Sequence, residues 1–305
     1  MFKSGFVAIV GKPNAGKSSM VNKLVGFDVA IITPKPQTTR FNIQGIRTTE
    51  TSQIIFIDTP GVHSPKNKLG EYMMKGVGLA VDSVDSILYL VDGAKPVLDE
   101  ANKRIIEQIV ETKKKVILAI NKVDKIKKEN ILRIIQEYNK HILSLGGSFE
   151  AIVPISVYNS DGLEDLVKCI EDTLPEGDYI FEEDEVTDVT ERELVEEYIR
   201  SKALKYLDEE IPHGLIIQVE SMKDRQTENG NTVYDIEANI ICKKSSHKGI
   251  IIGKDGEMLK RIGTAARRDI EKMLDARVNL KLWVKVRKDW DDNDSYLQQF
   301  KNKIS

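Results

Sequence analysis

The sequence predicts an α/β protein in two parts: a doubly wound parallel sheet, then a smaller α+β unit. Three observations carry this. An apolar run, Gly5 to Val10, enters a glycine-rich turn, Gly11 to Ser18, and leaves it as an amphipathic stretch, which is the order strand, loop, helix. Short continuous apolar runs then alternate with helical stretches, as strands covered on both faces do. Beyond an acidic break the order becomes helix, strand, strand, helix, helix, strand.

At 305 residues the chain exceeds what one core usually supports, so two domains are expected. With 41% hydrophobic and 30% charged residues it has a globular composition without a disorder signature. The net charge of −3 says little about partners, and the distribution of charge says more. Cys169 and Cys242 lie far apart without metal-ligand spacing, which points to a reduced compartment rather than a disulfide framework. No apolar run approaches the ~20 residues that span a bilayer, and the apolar start runs into the glycine loop instead of a cleavage site. The expectation is a cytoplasmic chain, mature from Met1.

Gly11-Lys12-Pro13-Asn14-Ala15-Gly16-Lys17-Ser18, with Ser19 behind it, has the spacing of a phosphate-binding loop. Successive backbone N–H groups nest around a β-phosphate, and the helix N-terminus favours the negative charge. Gly16 has no Cβ to block the approach. Lys17 reaches toward the β- and γ-phosphates, and the Ser18 hydroxyl suits a Mg²⁺ ion. After a helix to about Val25, Phe27 to Arg40 reads as an irregular loop because of Pro34, Pro36 and the hydroxyls of Thr38 and Thr39.

Phe41 to Thr48 and Gln53 to Ile57 read as two strands joined by a polar turn. The second leads into Asp58-Thr59-Pro60-Gly61-Val62. A carboxylate there is placed to hold Mg²⁺ through water, and the Gly61 N–H to meet a γ-phosphate. Ser86 to Val91 and Val116 to Ile120 read as buried strands on either side of a helix, Asp99 to Glu111. The later strand opens into Asn121-Lys122-Val123-Asp124. The Asp124 carboxylate can accept from both N1–H and the 2-amino group of guanine, while Asn121 can meet its N7 and O6 side. Adenine lacks that donor pair, so the site selects guanine. A strand from Glu150 to Ile155 precedes Ser156 and Val157, whose backbone N–H groups are expected at the base, and a helix from Asp161 to Leu174 closes the domain.

From Glu176 to Glu197 eleven acids stand against the single base Arg192, a composition shift that reads as a linker. Leu194, Tyr198, Ile199, Ala203, Leu204 and Leu207 then recur at helical spacing. His213 to Val219 and Val233 to Ile241 alternate as antiparallel strands around a turn at Asn229-Gly230-Asn231. Lys243 to Lys288 holds fourteen basic residues against five acidic ones. Inside it, Lys248-Gly249-Ile250-Ile251-Ile252-Gly253-Lys254-Asp255-Gly256 precedes a helix and a last strand, Val278 to Val286. A Gly-x-x-Gly turn between helices lets a nucleic-acid backbone come close, and flanking cations neutralise phosphate. The expected RNA-binding residues are Lys248, Gly249, Ile251, Ile252, Gly253, Lys254, Asp255, Gly256, Lys260, Arg267 and Arg268, with Ile251 and Ile252 as an apolar floor for bases.

In this order the phosphate loop, Thr38-Thr39, Asp58-x-x-Gly61, Asn121-x-x-Asp124 and Ser156 resemble the translation-factor-related, Ras-like GTPases. The resemblance implies that Ser18, Thr39 and, through water, Asp58 hold Mg²⁺, with Thr38 the alternative to Thr39. It implies catalytic roles for Lys17, Asn14, Thr39 and Gly61. Val62 stands where many relatives carry a glutamine that orients the attacking water, so a low intrinsic rate is expected. In some relatives with asparagine at the place of Asn14, a potassium ion beside the phosphates supplies charge, and K⁺ at this loop is expected on that ground.

The second half resembles a type II KH domain, a single-strand RNA module. Together the halves resemble the Era family of bacterial GTPases across essentially the whole chain, including Pro36-Gln37-Thr38-Thr39-Arg40 and Leu282-Trp283-Val284-Lys285-Val286. That resemblance implies a GTPase domain over 1–176, an acidic linker and helix start over 177–197, a KH domain over 198–290 and a tail over 291–305. It implies a monomer that hydrolyses GTP to GDP and phosphate and binds single-stranded RNA near the 3′ end of 16S rRNA during 30S subunit assembly. Val157 departs from the usual alanine, which matters little for a backbone contact. The alternative is that the basic second domain meets anionic membrane lipid or a protein partner, since charge alone does not separate these from RNA.

Overall fold

Val7 to Val10 are each no more than 3% exposed, so the first strand, β1 (Lys3–Val10), is covered on both faces and lies inside a sheet. The computed structural model describes all residues except 34, 36, 37, 63, 64, 66, 96, 97, 209, 210, 212, 213 and 298–305. Pro34, Pro36 and Gln37 of the proline-rich loop, and His213 at the expected strand start, lie outside the described residues. Over the described residues the chain divides into two compact units: the first comprises Met1–Ala30 and Thr39–Asp188, the second Ile31–Thr38 and the chain from Val189 to Leu297.

The first unit is built on a six-stranded sheet in the order β2-β3-β1-β4-β5-β6. Its other strands are β2 (Ile43–Thr48), β3 (Ser52–Asp58), β4 (Ser86–Asp92), β5 (Lys115–Asn121) and β6 (Ala151–Pro154). β2 and β3 are antiparallel because the turn between them is too short for a crossover. The remaining pairings are parallel. The order reverses about β1, so the carboxyl end of β1 is the switch point where the glycine loop opens. The helices are α1 (Lys17–Val25), α2 (Lys68–Ser83), α3 (Glu100–Glu111), α4 (Lys128–Ser144) and α5 (Leu163–Thr173). Ala80, Ile105, Ile109, Ile134 and Tyr138, from α2, α3 and α4, share one core with Ala8, Val10, Tyr89 and Leu118 of the sheet. α1 closes on β2 at Gly45, where a Cβ would lie 2.6 Å from Val21. Neither α2 nor α4 is anticipated by the sequence reading.

The acidic segment is not a free tether. Val186 accepts from the Ile46 N–H at 2.9 Å, Thr187 donates to the Gln44 carbonyl at 2.6 Å, and the Gln53 side chain accepts from Ile180 and Phe181 at 2.7 and 2.9 Å. These bonds run the segment along β2 and β3 and satisfy groups of a sheet edge.

The second unit carries α6 (Glu191–Tyr206), whose Thr190 and Glu193 form a reciprocal capping box. A three-stranded sheet follows, β7 (Leu215–Gln226), β8 (Thr232–Cys242) and β9 (Arg277–Val286), with β7/β8 antiparallel and β8/β9 parallel. Between β8 and β9 come α7 (Ser245–Ile252) and α8 (Glu257–Leu274). Alternation buries Leu215, Ile217, Ile236, Ala238, Ile240, Val278 and Val284 against Val195, Ile199, Ile262, Ala266 and Ile270 of the helices. The tail expected from Asp291 is buried in its first part. Trp290 is fully buried and donates to the Gly214 carbonyl at 3.1 Å. Asp291 is buried against Lys243, and Tyr296 and Leu297, in the short α9 (Asp294–Leu297), are 2% exposed.

Candidate nucleotide and nucleic-acid sites

The loop after β1 is fixed from several sides. Gly16 has φ 106°, and a Cβ there would lie 2.3 Å from the Asn121 amide, so both conformation and space require glycine. Gly61 likewise abuts Pro13, to which an added Cβ would stand at 2.9 Å, and the next N–H, of Val62, donates to the Gly11 carbonyl at 3.3 Å. Lys17 curls over the loop, donating to the carbonyls of Gly11 and Lys12 at 3.1 and 3.2 Å. Lys12 reaches Asp99, the N-cap of α3, at 2.5 Å. Thr59 is buried and bonds the Ile9 carbonyl at 2.6 Å, which ties the end of β3 to β1.

Three groups assigned to a metal meet at one point. Ser18 donates to Asp58 Oδ2 at 2.6 Å, Thr39 to the same oxygen at 3.2 Å, and the two hydroxyls are 3.0 Å apart. Among the described residues the other carboxylate oxygen, Oδ1, is buried without a hydrogen-bond partner. An all-oxygen cluster with an orphaned carboxylate oxygen suits a hard divalent cation. Burial pushes the Asp58 carboxyl up and the Lys17 ammonium down, each shift opposed by the other's charge. Thr39 is the threonine in this cluster. Thr38 instead bonds the Lys35 carbonyl at 2.6 Å and lies 2.7 Å from the Thr33 hydroxyl.

The base-recognition loops are braced against the phosphate loop. Asn121 donates to the Ala15 carbonyl at 2.9 Å and accepts from the Val157 N–H at 3.1 Å. Lys122 bridges the Asn14 carbonyl, at 2.9 Å, and Asp92, at 2.6 Å. Asn14 itself has φ 64°, a left-handed conformation that asparagine tolerates. The Val123 N–H bonds Ile155 at 3.2 Å. Asp124 accepts from the Ser156 hydroxyl at 2.6 Å. The backbone amides expected to meet the base have protein partners, since Ser156 N–H bonds the Asp161 carbonyl at 3.0 Å and Val157 N–H bonds Asn121. Ser156 therefore acts on Asp124 through its hydroxyl.

In the second unit, Gly253 and Gly256 bracket a turn with φ 74° and 79°, and Asp255 between them has φ 50°. A Cβ on Gly253 would lie 2.8 Å from Met258, whereas Gly256 faces open space. A groove of about 460 Å³ runs between α8 and β9, bordered by Gly256, Leu259, Lys260, Arg267, Leu280 and Leu282. Lys248, Gly249, Lys254 and Arg268 are exposed. Ile251 is a correction: it is 0% exposed and belongs to the core, so it cannot carry a base, and Ile252 is half-buried against the same core. Apolar side chains in the groove lining come instead from Leu259, Leu280 and Leu282, which sequence reading missed. Their signal is positional, since Leu259 neighbours Lys260 and the two leucines alternate on the last strand.

Both parts of the chain match known families. Residues 6–122 match the family described as 50S ribosome-binding GTPase, and residues 210–291 match the KH domain family. The chain is 46% identical over 301 residues to the GTPase Era of Clostridioides difficile, covering 98% of each. It is 47% identical to that of Ruminiclostridium cellulolyticum, covering 97% of this chain and 96% of the relative. The chain belongs to the Era family of GTPases. A crystal structure of Era with MgGDPNP and nucleotides 1506–1542 of 16S ribosomal RNA superposes with a TM-score of 0.92 at 38% identity, covering 98% of this chain and 99% of that one. An Aquifex aeolicus Era variant bound to GDP and AlF4− gives 0.91 at 39%, with the same coverage. As an Era-family protein, the chain is a GTPase joined to a KH domain, so the cluster at Ser18, Thr39 and Asp58 and the groove beside Gly256 belong to one molecule.

Proposed function

We propose that this chain binds and hydrolyses GTP and, through its KH domain, binds single-stranded RNA near the 3′ end of 16S rRNA in the assembly of the small ribosomal subunit. The observation that carries this reading is the convergence of Ser18, Thr39 and Asp58 on one point in a chain that also holds a groove lined by basic and apolar side chains at a Gly-x-x-Gly turn. A relative of similar length has been crystallised with MgGDPNP and nucleotides 1506–1542 of 16S ribosomal RNA. Mg²⁺ would be held by Ser18 and Thr39, and by Asp58 through water, and supplies charge neutralisation at the phosphates. Lys17 neutralises the phosphates from the loop side, and Asp124, oriented by Ser156, selects guanine. Hydrolysis is slow because Val62 offers no polar group to the attacking water.

We further read the protein as a cytoplasmic monomer that uses K⁺ at Asn14. Matched KCl and NaCl buffers test the ion: turnover several-fold faster in KCl is expected, and equal rates contradict it. Among the described residues no helix is long and apolar enough to cross a membrane. Crosslinking the protein to RNA in cells and sequencing the bound fragment tests the main reading. Recovery of the 16S 3′ region is expected. Recovery of unrelated fragments, or binding to anionic vesicles with no RNA recovered, contradicts it.

A further inference from the structure

The last strand carries a residue that the groove does not use. Trp283 is 45% exposed, in contrast to the fully buried Trp290. β9 is an outer strand of its sheet. Along it, Leu280 and Leu282 border the groove, and the pleat puts Lys281, Trp283 and Lys285 on the opposite face. Both lysines are more than half exposed, and each stands 3.4 Å from a single carboxylate, Glu237 for Lys281 and Glu220 for Lys285. Ion pairs this exposed contribute little, so each ammonium is free to exchange its carboxylate for a phosphate.

An exposed indole between two exchangeable cations, one residue from the groove wall on an edge strand, has the composition of a base-stacking platform. We propose that Trp283 is a stacking shelf for a base outside the groove, reached where the RNA strand passes round the edge of β9. The inference rests on the groove being the RNA site and extends its footprint. A KH groove clamps about four nucleotides, so the shelf engages only longer RNA.

The test uses full-length protein and single-stranded RNAs of about four and about eight nucleotides from the 3′ region of 16S rRNA, titrated by fluorescence anisotropy into wild type, W283F and W283L. Wild type is expected to bind the longer RNA about ten-fold more tightly than the shorter, a gain that W283F keeps and W283L loses. Tryptophan emission should be quenched by the longer RNA alone, since Trp290 is buried. If the shorter RNA binds and the gain survives in W283L, the shelf is overturned and the groove stands. If the shorter RNA does not bind wild type, the groove reading fails and the shelf fails with it.

Discussion

The proposed guanine selectivity is assigned to a single carboxylate. Asp124 is oriented by the Ser156 hydroxyl at 2.6 Å, and its acceptor oxygens match the two donors on one edge of guanine. Replacing Asp124 with Asn substitutes a donor for an acceptor. Preference should move from guanosine toward xanthosine nucleotides by on the order of a hundred-fold, read by competition between GDP and XDP. Unchanged GDP affinity would refute the assignment. Asp124 stood out as a candidate in the sequence because a carboxylate three positions after an asparagine, at a strand end, has few other uses beside a phosphate loop. What Ser156 and Val157 contribute was not legible. Their amides bond Asp161 and Asn121, and spacing along the chain does not reveal which distant atoms they meet. The choice between Thr38 and Thr39 needed the fold for the same reason, because adjacent hydroxyls differ only in the direction they point.

At the scale of elements, α7 shows how a short apolar run misleads. Ile250, Ile251 and Ile252 are equivalent in sequence, yet on a helix successive side chains face different ways, and exposure runs from 51% at Ile250 to 0% at Ile251. Ile251→Ala should therefore cost the KH unit about 2–5 kcal/mol by creating a cavity, measured as a lowered midpoint in thermal unfolding. Gly256→Asp should do the reverse, keeping the fold and removing RNA binding. Its Cβ meets nothing within 4 Å, aspartate tolerates a positive φ, and the new charge repels phosphate. A normal midpoint for Ile251→Ala, or full RNA affinity for Gly256→Asp, would contradict this division of roles. The strands of both sheets were legible from their apolar runs and alternation, except that β7 continues from Val219, where the apolar alternation ends, to Gln226. α2 was obscured by Gly70, Gly76 and Gly78, which lower helix propensity. α4 had a readable stripe at Ile134, Tyr138 and Ile142. The acidic segment looked like a linker because charge suggests solvent, and its bonds to β2 and β3 are made mostly by backbone, which composition does not record.

At the scale of the molecule, a nucleotide switch and an RNA groove in one chain gain meaning from coupling. The triphosphate state is expected to order the segments around Thr39 and Gly61, and hydrolysis to release them. Any such coupling is reciprocal: the factor by which GTP changes RNA affinity equals the factor by which RNA changes GTP affinity. Electrostatics gives a second handle. RNA binding at the groove should weaken with salt at a slope of ~0.7 per phosphate contacted. The most direct measurement is the affinity of full-length protein for the 3′ segment of 16S rRNA with GDP and with a non-hydrolysable GTP analogue. The two affinities should differ by about five-fold or more, with the same factor returned when analogue affinity is measured with and without RNA. Tight RNA binding that is identical in both states would leave a GTPase and a KH domain sharing a chain without forming a switch, and would contradict the account.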